Sequence, residues 1–379
     1  MESLNAIYKV VEDKTITWFK NSNEYLVLEN TTADILKRLS KGIAVENIAT
    51  SLSKKINVPL EKAEDFILHL KKEVYDPNQQ KKEHIINDYR DVKKPEVYAF
   101  IKFYKINDVV FKVSYLSENE LSYIHPKFAH LVIDAVTTYQ NEFEVFIHNN
   151  FIFLFVNQNC IGSWSYNDVH YFQGKFSMEL IQKIHQKKED EWLGVFHASA
   201  ISNGKKSMLF LGDSGNGKST SLALLQASGF TCLADDFVPM DAEKQEVYSF
   251  PAAISIKKNS LETLLPIYPE LKTSAEYHFK RLNKIVRYLK PNNTNFFTHL
   301  PCHDLVFIKY EKDSPLVCKT IDKLEAFLQL IPDSWLSPKM ENAQVFLDWF
   351  GGLNCYQLIY SENEKMIAKV AELFEKDAI

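Results

Sequence analysis

Glycine is scarce in this chain, 11 of 379 residues, against the roughly 7% usual in globular proteins. A collagen-like repeat and a long Gly-rich linker are thereby excluded. The five cysteines, Cys160, Cys232, Cys302, Cys318 and Cys355, are odd in number, widely separated and never spaced C-x-x-C. That pattern argues against a disulfide framework and a zinc knuckle, and a reducing cytoplasm is the expected location. Long hydrophobic runs are missing too. The densest, Phe151 to Val156, has six residues, where a membrane helix needs about 20. Met1 to Lys14 holds no apolar signal core, so neither membrane insertion nor export is expected. No charge of one sign dominates: 44 basic and 49 acidic residues leave a net charge of −5. This is too balanced for bulk attraction to nucleic acid or an anionic membrane, so any anion site must be local.

What is present is a folded-protein composition, 46% hydrophobic and 25% charged, in a chain of 379 residues. At about 150 residues per domain that length implies two to three domains. From Glu2 to Leu28 the pattern reads as short strands, with Tyr8 and Val10 alternating around Lys9, and Ile16 and Trp18 alternating with Thr15 and Thr17. Three helices are expected next. Asn30 or Thr31 caps the first, striped by Ile35, Leu36 and Leu39; Val45, Ile48, Ala49 and Leu52 space the second; Pro59 starts the third, striped by Ala63, Phe66, Ile67 and Leu70. Residues 1–75 thus carry a winged-helix pattern, and the polar, charged 76–95 reads as a linker. From 96 to 379 we expect one α/β domain. Its first half is β-rich and aromatic, with strands at Tyr98 to Tyr104, Val109 to Tyr115, Phe143 to Ile147, Phe151 to Val156 and Cys160 to Tyr166. A helix is expected over Ser177 to Gln186. Val195 to Ile201 and Ser207 to Leu211 read as the arms of a hairpin turning at Asn203-Gly204.

The few glycines are concentrated where the hairpin ends. Gly212-Asp213-Ser214-Gly215-Asn216-Gly217-Lys218-Ser219 matches G-x-x-x-x-G-K-[ST], between the apolar run Met208 to Leu211 and a helix over Ser219 to Ala227. Phosphate oxygens need several N–H donors converging on one point, and glycine lets the backbone curl that closely while the helix N-terminus adds partial positive charge. Gly212 to Thr220 is therefore the expected cradle for ATP, with Lys218 on the β- and γ-phosphates and the Ser219 hydroxyl on Mg²⁺. The helix closes at Gly229, and Phe230 to Ala234 returns as a strand ending in Asp235-Asp236. Two carboxylates at a strand end, Asp235 and Asp236, allow one to hold Mg²⁺ through water and the other to take a proton from an attacking hydroxyl.

Phe196-His197, then Gly-Asp-Ser-Gly-x-Gly-Lys-Ser, then Ala-Asp-Asp resembles, in order and spacing, the catalytic core of bacterial HPr kinase/phosphorylase. The resemblance covers roughly Val195 to Val238. It implies a phosphoenolpyruvate-carboxykinase-like fold and phosphorylation of a serine, with His197 the active-site histidine, Lys218 on phosphate, Ser219 on Mg²⁺ and Asp236 the catalytic base. The pattern departs from that family further on, where Phe250 to Lys258 stands in place of its glycine-rich segment with an acidic ligand and an arginine. HPr itself and the reverse phosphorolysis are disfavoured by that departure. The stretch is more similar to HPr-kinase-related proteins found beside peptide-modification genes, which implies Lys257 as a basic residue near the γ-phosphate. Phe279 to Lys290 adds Lys280, Arg281, Lys284, Arg287 and Lys290 without an acid. Read as a helix, it places Lys280, Lys284 and Arg287 on one face, with Arg287 the candidate phosphoryl clamp beside a plain solvated basic face.

The N-terminal pattern from Trp18 to Lys72, built on Leu28-Glu29-Asn30-Thr31-Thr32-Ala33, Ile35-Leu36 and the two following helices, resembles PqqD-like domains. These bind leader peptides of ribosomally made, modified natural products, and the resemblance implies capture by strand addition to a sheet edge. DNA binding is set aside: Lys62, Lys71 and Lys72 are outweighed by Glu61, Glu64, Asp65 and Glu73 on the candidate recognition helix. The expected fold class is α/β (α+β), a PEP carboxykinase/HPr kinase-like P-loop domain preceded by a small winged-helix PqqD-like domain. The expected function is an ATP- and Mg²⁺-dependent kinase of a Ser or Thr in a precursor peptide or small protein held by the N-terminal domain. Kinase action on a small hydroxyl metabolite, such as a free amino acid, and nucleotide-gated peptide binding without transfer are the alternatives. HPr kinases assemble, and the resemblance implies a homo-oligomer here.

Overall fold

Neighbouring residues of a strand project to opposite faces of its sheet, yet Trp18 and Phe19, adjacent in one strand, are both fully buried. A three-stranded sheet buried on both sides is the consequence. In the computed structural model, which describes residues 5–81, 92–279 and 284–376, the antiparallel strands Ala6–Val11, Lys14–Phe19 and Glu24–Glu29 lie in chain order. The helices Asn30–Ser40, Val45–Ile56 and Leu60–Leu70 follow. Ile35, Leu36, Leu39, Ile48, Ala49, Leu52, Ala63, Ile67 and Leu70 form one core with Phe19. The expected stripes recur, with one exception: Phe66 is 46% exposed and takes no part in that core. Asn30 is the first residue of its helix, and its side chain bonds Thr15 and the Asp13 carbonyl instead of capping.

The opposite face of this sheet is covered from far along the chain. Trp18 stands opposite Tyr25, and the Tyr25 ring packs edge-on against Phe346 at 5.4 Å and Phe327 at 6.1 Å. Those residues belong to the helices Met340–Gly352 and Lys323–Leu330. Lys9 adds an ion pair with Asp348, and Asn23 bonds both the Trp18 indole and the Leu336 carbonyl. The first compact unit is therefore discontinuous, Met1–Ile85 with Asp322–Pro332 and Leu336–Gly352. This differs from the expected division at 1–75 and 96–379, because amphipathic helices show in the sequence that they have a buried face but not which sheet buries it. Of the expected linker, 82–91 lies outside the described residues, and Asp76–Gln79 is a short helix.

The second unit comprises Ile86–Ile321, Asp333–Trp335 and Leu353–Ile379. It holds a six-stranded sheet in which Phe100–Ile106, Val109–Tyr115, Asn141–His148, Phe151–Val156 and Asn159–Ser165 are neighbours in chain order. The helix Val169–His185 begins well before the expected start and buries Phe172, Phe176 and Ile181. A larger mixed sheet carries Thr231–Asp235, Ser199–Ser202, Ser207–Leu211 and His299–Tyr310 side by side, with Asn354–Tyr360 parallel to the last. Ser207–Leu211 runs antiparallel to Ser199–Ser202 and parallel to His299–Tyr310. The helix Lys218–Ala227 packs its Leu222, Ala223 and Leu225 into the core with Ile201, Phe210, Val306 and Leu358. Among the described residues no helix is long and apolar enough to cross a membrane.

Two expectations about these strands are corrected. Val195 to Ile201 is not one hairpin arm: Trp192–Phe196 and Ser199–Ser202 are separate strands with different partners, broken at His197-Ala198. The described part of Phe279 to Lys290 is not helical, since Tyr277–Phe279 and Lys284–Leu289 form a small sheet with Ile254–Lys257, with 280–283 outside the described residues; β-branched and aromatic residues between the basic ones outweigh helical spacing. Truncating Phe346 to alanine should destabilise the first unit by about 3–5 kcal/mol, as for other buried aromatics, although it lies more than 300 residues from Tyr25. A denaturant melt followed by tryptophan fluorescence checks this, and an unchanged midpoint would contradict the two-faced sheet.

Candidate active site

The chain reverses where Leu211 ends its strand, and glycine makes the reversal feasible. Gly212 has φ 137°, and a Cβ there would stand 2.8 Å from the Ile308 carbonyl oxygen. Gly217, the residue before the helix, has φ 95° and lies against Tyr310 and the Tyr360 hydroxyl. The loop is pinned to its neighbours: the Tyr310 N–H donates to the Asn216 carbonyl at 3.0 Å, and Ser221 and Tyr360 share a hydroxyl hydrogen bond of 2.8 Å. Asp213, Ser214 and Gly215 form its exposed crest. Lys218 opens the helix, largely buried, its ammonium donating back to the Gly212 carbonyl. The Thr220 hydroxyl is engaged by Ser260 at 2.7 Å, so its side chain serves the packing of the helix.

Asp235 is the centre of the arrangement. It is 3% exposed and faces Ser199 across the antiparallel pair, whose hydroxyl donates to it at 2.6 Å. The Ser219 hydroxyl donates at 3.0 Å and the Ser255 N–H at 3.1 Å. Burial, and next the charge of Asp236, push its pKa up from 3.8 to about 6, against these hydrogen bonds, which favour the charged form. Asp236 follows in the left-handed region, φ 65°, which turns its carboxylate away from the strand direction and leaves it partly exposed. An Oδ1 of Asp236 stands 4.0 Å from Nε2 of His197, the residue at the break between Phe196 and Ser199. Lys257 closes the far side of the loop, its Nζ 2.9 Å from the Ser214 hydroxyl.

His197, Lys218, Ser219, Asp235, Asp236 and Lys257 are thus brought to the rim of one loop. Arg287 is not. It stands opposite Ile256 in the small sheet, whereas Lys257 stands opposite Val286, so the two basic residues occupy opposite faces. Its guanidinium donates to the carbonyls of Leu271, Lys272 and Ser274. Arg287 therefore tethers a loop, and its expected role as a phosphoryl clamp is withdrawn. Lys280 and Arg281 lie outside the described residues.

Three contributors were not singled out in the sequence. Ser199 and Ser255 hold Asp235, and Tyr288, opposite Ser255 in the small sheet, is close enough to both aspartates that their charges, after burial, hold its phenol protonated. None stands in a motif; each owes its role to strand pairing across segments distant in sequence. The donor set fits a magnesium–nucleotide ligand: backbone N–H groups at a helix start, a buried lysine, and a hydroxyl and carboxylate in contact. Among the described residues no group of three or more His, Cys, Asp or Glu is arranged to hold a metal ion by itself.

No protein-family model and no curated protein matches this sequence. Among solved structures it is similar to the Hpr(Ser) kinase/phosphatase from Coxiella burnetii, at 12% identity and a TM-score of 0.25, over 48% of this chain and 91% of that chain. A superposition that loose does not define a common fold.

Asp235 ionises at a cost to the folded chain. An unfolded chain releases this proton near pH 3.8 and the folded chain holds it to about pH 6, so the stability it contributes below pH 4 is lost as pH rises through 6. Without nucleotide or divalent ions, Asp235→Asn should be more stable than the parent at pH 7.5, by on the order of 1–2 kcal/mol. The advantage should shrink toward pH 4.5; a pH-independent difference in denaturant melts would refute the assignment.

Proposed function

We propose that this chain is an ATP- and Mg²⁺-dependent phosphotransferase acting on a Ser or Thr hydroxyl of a precursor peptide or small protein. The observation that carries the reading is the contact of Ser219, the last residue of the G-x-x-x-x-G-K-S loop, with buried Asp235, while Asp236 and His197 stand together at its rim. Bound MgATP supplies the phosphoryl group. The loop N–H groups and the helix N-terminus hold the phosphates, and Lys218 exchanges the Gly212 carbonyl for a phosphate oxygen. Ser219 and Asp235 hold the metal, which also offsets the cost of a buried carboxylate. Asp236 takes the proton of the acceptor hydroxyl as it attacks, and His197 orients Asp236. Lys257, tied to Ser214, lies where its charge meets the transferred group.

The peptide half of the proposal rests on the PqqD-like pattern and on Glu24–Glu29, which ends its three-stranded sheet. A leader paired to a sheet edge raises the local concentration of the segment to be modified.

Intact-mass analysis of peptides encoded near the gene, incubated with enzyme, Mg²⁺ and ATP, tests the reading. One peptide should gain a single phosphoryl group, and its leader segment added in trans should compete. Lys218→Ala should abolish transfer and weaken ATP binding; Asp236→Asn should lower the rate by about 10²-fold or more with ATP binding kept. Full activity of Asp236→Asn would remove it as the base. Transfer to a small hydroxyl compound without any peptide would favour a metabolite kinase.

A further inference from the structure

Away from the phosphate loop, the second unit contains a cavity of about 340 Å³, near the lower end for small-molecule sites. Lys105, Asn107, His130, Lys290, Thr294 and Phe296 line it, and no acidic residue does. Lys105 and Lys290 have no ion-pair partner among the described residues, although the chain as a whole is net acidic. Beneath the wall, the Asn107 Nδ2 amide is buried without a hydrogen-bond partner, and the His130 ring is buried beside the Pro251 backbone. The Pro251 carbonyl beside the ring favours the charged form of His130, but less than burial opposes it. A buried donor left unsatisfied is costly, so the Asn107 amide calls for an acceptor at this cavity.

The neighbours of these groups define the ligand. The Asn107 Oδ1 is already occupied by the Phe296 N–H at 3.0 Å, so what remains at Asn107 is a donor. Burial, and next the charge of Lys290, hold the His130 pKa down to about 4. An acceptor with negative charge would reverse the second effect and satisfy the donors; a cation or a hydrocarbon would do neither.

We propose that this cavity binds a small anion, a metabolite bearing a phosphoryl or carboxylate group, with Lys105 and Lys290 as its charged contacts and Asn107 and His130 in its wall. The site is separate from the phosphate loop and does not depend on the kinase reading. Its connection to the loop is short: Lys290 directly follows the strand that carries Tyr288, and Pro251 heads the segment that enters Ile254–Lys257.

Isothermal titration calorimetry of the full-length chain with 3-phosphoglycerate, citrate and inorganic phosphate tests it. At least one probe should bind with Kd below about 1 mM, weakened about tenfold or more in Lys105→Ala/Lys290→Ala and unchanged in Lys218→Ala. Binding of the phosphorylated probes alone assigns a phosphoryl ligand, and of citrate alone a carboxylate. The His130 ring should titrate at higher pH in the bound form, followed by NMR. Both lysines are exposed, so an unaltered thermal melt of the double variant is expected and shows an intact fold. Failure of all three probes to bind, or binding lost in Lys218→Ala and kept in the double variant, would overturn the site. ATP binding measured on the same samples reports separately on the phosphate loop.

Discussion

A carboxylate removed from water must be held by donors or remain protonated, and Asp235 is the place where this constraint organises the second unit. Its three donors come from three elements: Ser199 from the hairpin, Ser219 from the helix after the phosphate loop, and Ser255 from the small sheet. Each of those elements is positioned in part by this group. The residual cost of burial shows in its raised pKa, and a strongly perturbed carboxylate at a strand end beside a glycine loop is a functional candidate on physical grounds. Asp236, adjacent in sequence, has a different environment because its left-handed backbone swings it to the exposed side beside His197. Two neighbouring carboxylates thus acquire the separate environments that separate roles need.

The same logic of burial shapes the first unit. Its middle strand is buried on both faces, so three helices on one side leave Trp18 and, on the neighbouring strand, Tyr25 to be covered from the other. Helices from residues 323–330 and 340–352 complete the enclosure through Phe327 and Phe346. Excising the N-terminal residues alone would expose that face, so a peptide-binding role for this unit is better examined in the whole chain than in a fragment.

Local signals in the sequence were reliable where local physics governs. The strands and helices of residues 6–70 follow from alternation and 3.6-residue periodicity, and the sharp turn at Gly212 to Gly217 from glycine spacing between a strand and a helix. Errors arose where partners are distant. Val195 to Ile201 is uniformly apolar enough to pass for one strand, but the two halves pair with different neighbours and break at His197. The basic run near Arg287 fits helical spacing on paper, yet Val286, Arg287, Tyr288 and Leu289 pair as a strand with Ile254–Lys257. That pairing spends Arg287 on backbone carbonyls and brings Tyr288 toward the aspartates.

By itself the sequence determined that the chain is a mixed α/β protein with a G-x-x-x-x-G-K-S loop at a strand–helix junction and an Asp-Asp pair one helix later, because glycine conformation and hydrophobic period act over a few residues. Only the tertiary structure decided which aspartate is buried and which exposed, that Ser199, Ser255 and Tyr288 join them, that Arg287 does not, and that two late helices belong with the first three strands. Hydrogen-bond satisfaction and burial are settled by whatever segments meet in space, and pairing or packing between segments 20 to 300 residues apart leaves no periodic trace in either partner.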